Sequence, residues 1–158
     1  MITYETSALL EAAYTSDWSI STAGVGTGVT ATCNTCDDLN GDTLRAITTL
    51  TTAPWLGGYA LDAMAPVREN GQPGGGNLNL ALSADAVSFG CVFSGVDTCE
   101  IQLVDSNGVV VDRFRPSFTD RNSGFFGCYL STGFRAVRIM VPGEAEWGVN
   151  DIVGKLSA

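Results

Sequence analysis

Asp37-Asp38-Leu39-Asn40-Gly41-Asp42 is the densest group of oxygen ligands in the chain. Asp38, Asn40 and Asp42 stand at the D-x-N-x-D spacing that opens many calcium loops. Alternate residues of a tight loop turn their oxygens toward one centre, which suits a hard cation. The rest of that motif is missing: Thr43 stands where a glycine is expected, and Thr49 where the twelfth-position Glu would be. This is therefore not an EF-hand. Two readings stand: a calcium site of another build, or an Asx-rich surface turn.

Cysteine chemistry comes next. Cys33-Asn34-Thr35-Cys36 has CxxC spacing, and Cys91, Cys99 and Cys128 follow. A zinc site wants a second close pair, but Cys91 and Cys99 are far apart and the chain has no histidine to substitute. A redox motif wants its CxxC at a helix start after a strand, whereas this one reads as a Thr/Gly/Asn/Asp loop. The third reading is structural disulfides, Cys33–Cys36 locally and Cys91–Cys99 across one strand connection, with Cys128 free and buried. Cys91 ends one expected strand, Cys99 begins the next, and Ser94-Gly95-Val96-Asp97 can turn between them. Such bridges belong outside the reducing cytosol.

Trp55 and Tyr59 lie in the loop Ala53-Pro54-Trp55-Leu56-Gly57-Gly58-Tyr59. Exposed loop aromatics on a β-sandwich can stack on the apolar faces of sugar rings, and they can equally pack on the core. For catalysis the sequence offers little. No histidine is present as a general base. Asp37/Asp38 and Glu144/Glu146 are paired carboxylates without an evident nucleophile, so the chain reads as non-enzymatic. The glycine-rich Ala23–Gly28 stretch fits neither a dinucleotide fingerprint nor a phosphate loop.

The elements that would position these groups are mostly strands. The 158 residues suit a single domain spanning 1–158 with a core of its own. Glycine is abundant at 19 residues, and Lys155 is the sole lysine. The net charge of −9 argues against a nucleic-acid partner. Charge is also uneven: 12 acids face two arginines before Val111, and five acids face six bases from Val111 onward. That asymmetry fits a solvated acidic surface, or head-to-tail self-association. No apolar run is long enough for a membrane span. The opening residues lack the basic start of a signal peptide.

Ile2–Glu5 reads as a short strand, and Ser7 caps a helix through Tyr14 with Leu9, Leu10 and Ala13 toward the core. Trp18–Ser21 and Leu44–Thr51 read as strands. Leu78–Leu82 and Val87–Cys91 alternate as two more. Asp105-Ser106-Asn107-Gly108 separates Ile101–Asp105 from Val109–Arg115. Asn-Gly tolerates positive φ at both central positions, so a hairpin is expected there. Ser123–Leu130, Ala136–Val141 and Trp147–Val153 complete the series. Strands recur about every 8–12 residues, which predicts an all-β antiparallel sandwich with one short N-terminal helix.

The order of motifs from Leu78 to Val153 resembles exported bacterial jelly-roll domains of the kind found in PEP-CTERM-type proteins. It is carried by Val87-Ser88-Phe89-Gly90, the Asn107-Gly108 hairpin, Gly124-Phe125-Phe126-Gly127, and Val137-Arg138-Ile139 leading to Trp147-Gly148-Val149-Asn150-Asp151-Ile152. The sorting tail of those proteins is absent here. The resemblance implies a jelly-roll-like sandwich, extracellular or at the cell surface. It also implies a second calcium group, Glu5 with Asp151, because such jelly rolls can pair their first and last strands. No cofactor is required, and structural calcium is the one ion these residues suggest. The function expected is a surface module binding glycan or matrix; the alternative is a self-assembling structural subunit of a filament, coat or virion.

Overall fold

The computed structural model describes residues 1–20, 26–27, 31–37, 51–52, 64–65, 76–120, 124–141 and 147–157. Asp38, Asn40, Asp42, Trp55, Tyr59 and most of the expected Leu44–Thr51 strand lie outside them. The elements are β1 (Ile2–Tyr4), α1 (Ser7–Ala13), β2 (Trp18–Ile20), β3 (Gly26–Thr27), β4 (Ala31–Asp37), β5 (Thr51–Thr52) and β6 (Met64–Ala65). They continue with β7 (Gly76–Ser94), β8 (Glu100–Val104), β9 (Val110–Phe114), β10 (Gly124–Val141) and β11 (Gly148–Leu156). The strand pairings are antiparallel, and the fold is all-β with one short helix among the described residues. No described helix is long and apolar enough to cross a membrane.

Two strands organise the rest. The sequence reads Leu78–Leu82 and Val87–Cys91 as separate strands, but the structure joins them in β7, 19 residues long. Ser123–Leu130 and Ala136–Val141 likewise merge into the 18 residues of β10. The apparent break is a change of parity. Leu78, Leu80 and Leu82 are buried on even positions, then Phe89, Cys91 and Phe93 on odd ones. In β10 Phe126 and Cys128 give way to Val137, Ile139 and Val141. A strand has a strict period of two, so the switch needs extra residues in the ladder. The β10–β7 register shifts between Tyr129 and Phe134 and again before Ala136. Gly133, at φ +79°, lies in this irregular stretch.

Each long strand thus belongs to two half-sheets. Gly76–Leu82 of β7 pairs with β4 and with the end of β10, which in turn pairs with β8, and β8 with β9. Ala86–Ser94 of β7 pairs with β11 and the start of β10; β1 joins β10, and β2 joins β11. One apolar cluster takes Leu78, Leu80, Ile101 and Leu103 from the first half and Phe89, Phe93, Trp147 and Ile152 from the second. The Phe114 ring stacks 5.5 Å from Phe126, and the Met1 amino group lies 3.1 Å from Asp112 Oδ2. These contacts fold β9 over the β1–β10 side. The hydrogen-bonded path itself stays open, running from β3 to β9.

Phe-Gly-Cys occurs twice, at 89–91 and 126–128, and the two copies pair: Phe126 with Cys91, Gly127 with Gly90, Cys128 with Phe89. The phenylalanines and cysteines enter the core, while the glycines form a flat patch on the other face. Leu10 of α1 sits on that patch; a Cβ on Gly90 would stand 2.6 Å from Leu10 Cδ2 and 2.9 Å from Phe125 Cζ. The helix cap is Thr6 rather than Ser7, its hydroxyl accepting from Leu9 N at 3.2 Å. Only Leu10 of the three expected core residues is buried, and Leu9 is 56% exposed.

The hairpin between β8 and β9 forms by a different turn from the one its Asn-Gly suggests. Only Gly108 has positive φ, +81°. Gly108 N donates to Asp105 O at 3.1 Å, and the Asp105 carboxylate accepts from Asn107 N and Val109 N, each at 2.9 Å. This is a turn followed by a left-handed glycine, the bulged hairpin loop. Asp105 ties down two backbone amides of the turn, and Gly108 supplies its positive φ.

Both described ends of the chain meet one transverse row of the second half-sheet. Ile2 pairs with Tyr129, Tyr129 with Ser88, and Ser88 with Lys155.

Candidate functional site: a cleft at the rim

The candidate site is an open cleft of about 540 Å³ where β1 meets the end of β9. Thr3–Glu5 form one wall, Phe114–Asp120 the other, and Gly124–Phe126 the floor. Each wall is held by backbone pairing. β1 is fixed on β10 by Tyr4 opposite Gly127. The segment after β9 returns along the residues before β8: Phe118 N donates to Asp97 O at 2.7 Å and Cys99 N to Pro116 O at 3.3 Å. Phe118 stacks on Phe93 at 5.2 Å and covers Gly124, where a side chain would collide with it. Phe125 lies over the glycine patch beside Leu10. Phe114 remains 39% exposed.

The polar groups have two poles. Glu5 and Asp120 are exposed carboxylates. Arg115 is the cation, its Nε donating to Glu100 Oε1 at 2.8 Å. Glu100 also accepts from Gln102 Nε2 at 2.6 Å. Arg138 then donates through Nη1 to Gln102 Oε1 at 3.2 Å and through Nε to Asn79 Oδ1 at 2.9 Å. The Arg115 guanidinium, then Gln102, hold the Glu100 carboxyl below its ordinary pKa. Behind Tyr4, the Tyr14 ring stacks on Tyr129 at 4.0 Å, and the hydrogen bond to Tyr4 pushes the Tyr14 phenol upward.

Of the residues singled out in the sequence, Glu5 enters this cleft and Asp151 does not. The expected pairing of first and last strands is not formed. β1 pairs with β10, while β11 is occupied by β7 on one side and by β2 and β6 on the other. Two strands therefore separate Glu5 from Asp151, which sits exposed in the β11 irregularity at φ 50°. Among the described residues no three metal-ligand side chains gather. Cys33 and Cys36 fall in strand β4, not in a loop, on either side of a register shift; their side chains lie outside the described residues.

The expected Cys91–Cys99 bridge is absent: both are free, buried thiols, as is Cys128. That bridge assumed a strand ending at Cys91, whereas β7 runs on to Ser94 with Cys91 opposite Phe126. Burial pushes the thiols of Cys99 and Cys128 up to about 12 and that of Cys91 well above its ordinary value.

The cleft residues missed from the sequence are Phe114, Arg115, Phe118 and Asp120. Their signal was the run Phe114-Arg115-Pro116-Ser117-Phe118-Thr119-Asp120, aromatic and charged around a proline directly after a hairpin. Aromatic edges, carboxylate acceptors and a guanidinium donor together suit a ligand carrying apolar faces and many hydroxyls. Comparisons with protein-family models, with curated proteins and with solved structures gave no match.

Proposed function

We propose that this chain is a non-enzymatic binding module that takes a glycan in the rim cleft, working outside the cell or at its surface. The observation that carries the reading is the coincidence in one open cleft of half-exposed Phe114, the carboxylates of Glu5 and Asp120, and Arg115. A sugar presents C–H faces to aromatic rings and hydroxyls to carboxylates, and needs no metal for either contact. The extracellular location rests on the resemblance to exported jelly-roll domains, and matrix binding would use the same surface. Calcium at Asp38, Asn40 and Asp42, and sugar stacking by Trp55 and Tyr59, belong to the proposal as additions. Glycan-array screening followed by titration tests it: Phe114→Ala should weaken binding by roughly tenfold, as loss of about 1.4 kcal/mol does. Binding untouched by Phe114→Ala and Glu5→Gln together would remove the cleft from the account.

A second reading, a self-assembling subunit, is favoured by the outer strand β9. Val109 is 57% and Val111 41% exposed beside Phe114, and Ile2 on β1 is 53% exposed. Unpaired strand edges with apolar side chains invite another copy. The register shift that leaves Val111 extra in the β8–β9 ladder works against such pairing. Light scattering over a wide concentration range decides: a constant monomer mass rules assembly out, and growth abolished by Val111→Lys supports it.

A further inference from the structure

We propose that Arg115 is the residue that anchors the ligand in the cleft and that Glu100 is its positioning residue. This rests on the glycan reading above and gives it a ligand group. Among the described residues Arg115 engages only through Nε, at 2.8 Å from Glu100 Oε1, and its side chain is 77% exposed. Arg115 lines the cleft, and its two terminal amino groups form a planar fork without another partner among the described residues. Such a fork matches two acceptor oxygens side by side, which on a sugar means a uronate carboxylate or a vicinal hydroxyl pair.

A surface ion pair usually orders nothing, because both side chains must be frozen for one weak contact. Here Glu100 is already fixed. Its side chain is 12% exposed, and its second oxygen is held by Gln102 at 2.6 Å. Gln102 is itself buried and held by Arg138, and Arg138 by Asn79. The chain of hydrogen bonds crosses β8, β10 and β7 in register, Gln102 opposite Arg138 and Arg138 opposite Asn79. The sheet therefore aims the guanidinium, and ordering falls on Arg115 alone.

The test titrates wild type, Arg115→Lys, Glu100→Ala and Glu100→Gln with a linear neutral β-glucan and with polygalacturonate. The two polysaccharides separate the diol from the carboxylate. Arg115→Lys should lose at least roughly tenfold in affinity although the charge is kept, because the fork is gone. Glu100→Ala should lose affinity as well, and Glu100→Gln, which keeps an acceptor, should recover most of it. Independently of any ligand, the Arg115 Nε–H resonance in a ¹⁵N spectrum should be distinct in wild type and Glu100→Gln but exchange-broadened in Glu100→Ala. Unchanged affinity in Arg115→Lys overturns the anchoring role. An Nε–H signal equally sharp in Glu100→Ala overturns the positioning role. Wild type that binds neither polysaccharide overturns the glycan reading, and the Nε–H comparison then decides Glu100 by itself.

Discussion

Cys91, Cys99 and Cys128 are thiols surrounded by phenylalanine and aliphatic side chains, with Cys99 and Cys128 raised by burial to about 12. At pH 8 almost none is thiolate, and the thiolate is the reactive form. Peptide mapping after alkylation at pH 8 should find these three unlabelled in the native protein and labelled in denaturant. Cys128→Ser, placing a hydroxyl in the same apolar site, should cost about 1–3 kcal/mol in urea unfolding. Glu100 gives an acid-side prediction. Its folded pKa is lowered by Arg115 first, then by Gln102 and Arg113, so its contribution is present above the unfolded pKa and lost as pH falls through the folded one. Urea midpoints of Glu100→Gln and wild type should therefore differ at pH 7 and converge on acidification below the ordinary carboxylate range. Single residues were legible in sequence where their chemistry is local. Asp105 and Gly108 build their turn from neighbours within four positions. The environment of Cys91 was not legible, because Phe126 and Cys128 reach it only through β10.

Elements were legible wherever alternation ran unbroken, which is why β8, β9 and the opening strand lie within a residue or two of their expected bounds. The long strands β7 and β10 each read as two strands in sequence, since a parity switch has the pattern of a loop there and is a bulged bend in space. Helix α1 was found, but not its seat. Seven residues form a marginal helix in water, so its stability must come from packing. That packing is Leu10 on the glycines of the paired Phe-Gly-Cys motifs. Leu10→Ala should destabilise by about 2–5 kcal/mol. Gly127→Ala, whose Cβ would stand 2.8 Å from Phe125 and 3.1 Å from Leu10, should cost about 1–3 kcal/mol by overpacking. In both variants, hydrogen exchange at Leu10 and Tyr14, whose amides close the helix, should accelerate before that of β7.

On the scale of the molecule, the cleft was illegible for a reason of distance: its lining comes from residues 3–5, 114–120 and 124–126. No local pattern announces that these meet. They meet because β1 and the start of β10 share a ladder while β9 folds over from the other half-sheet. Since β7 and β10 run through both halves, neither half has a complete set of strands without the other. Calorimetric and van't Hoff enthalpies should agree, with a ratio near about 1. Two separated thermal transitions would show that the halves melt independently.

The shared row Ile2–Tyr129–Ser88–Lys155 has a mechanical consequence. It places the two ends three strand spacings apart, about 14 Å, on one side of the sheet. β1 enters at that row and β11 leaves from it, so tension applied through flanking segments pulls both strands from the same end. Hydrogen bonds loaded in that direction break one after another, as a zipper opens, instead of sharing the load as they do in shear. A molecule tethered at both ends would give way gradually at low force, whereas one tethered at a single end would feel no load on its core.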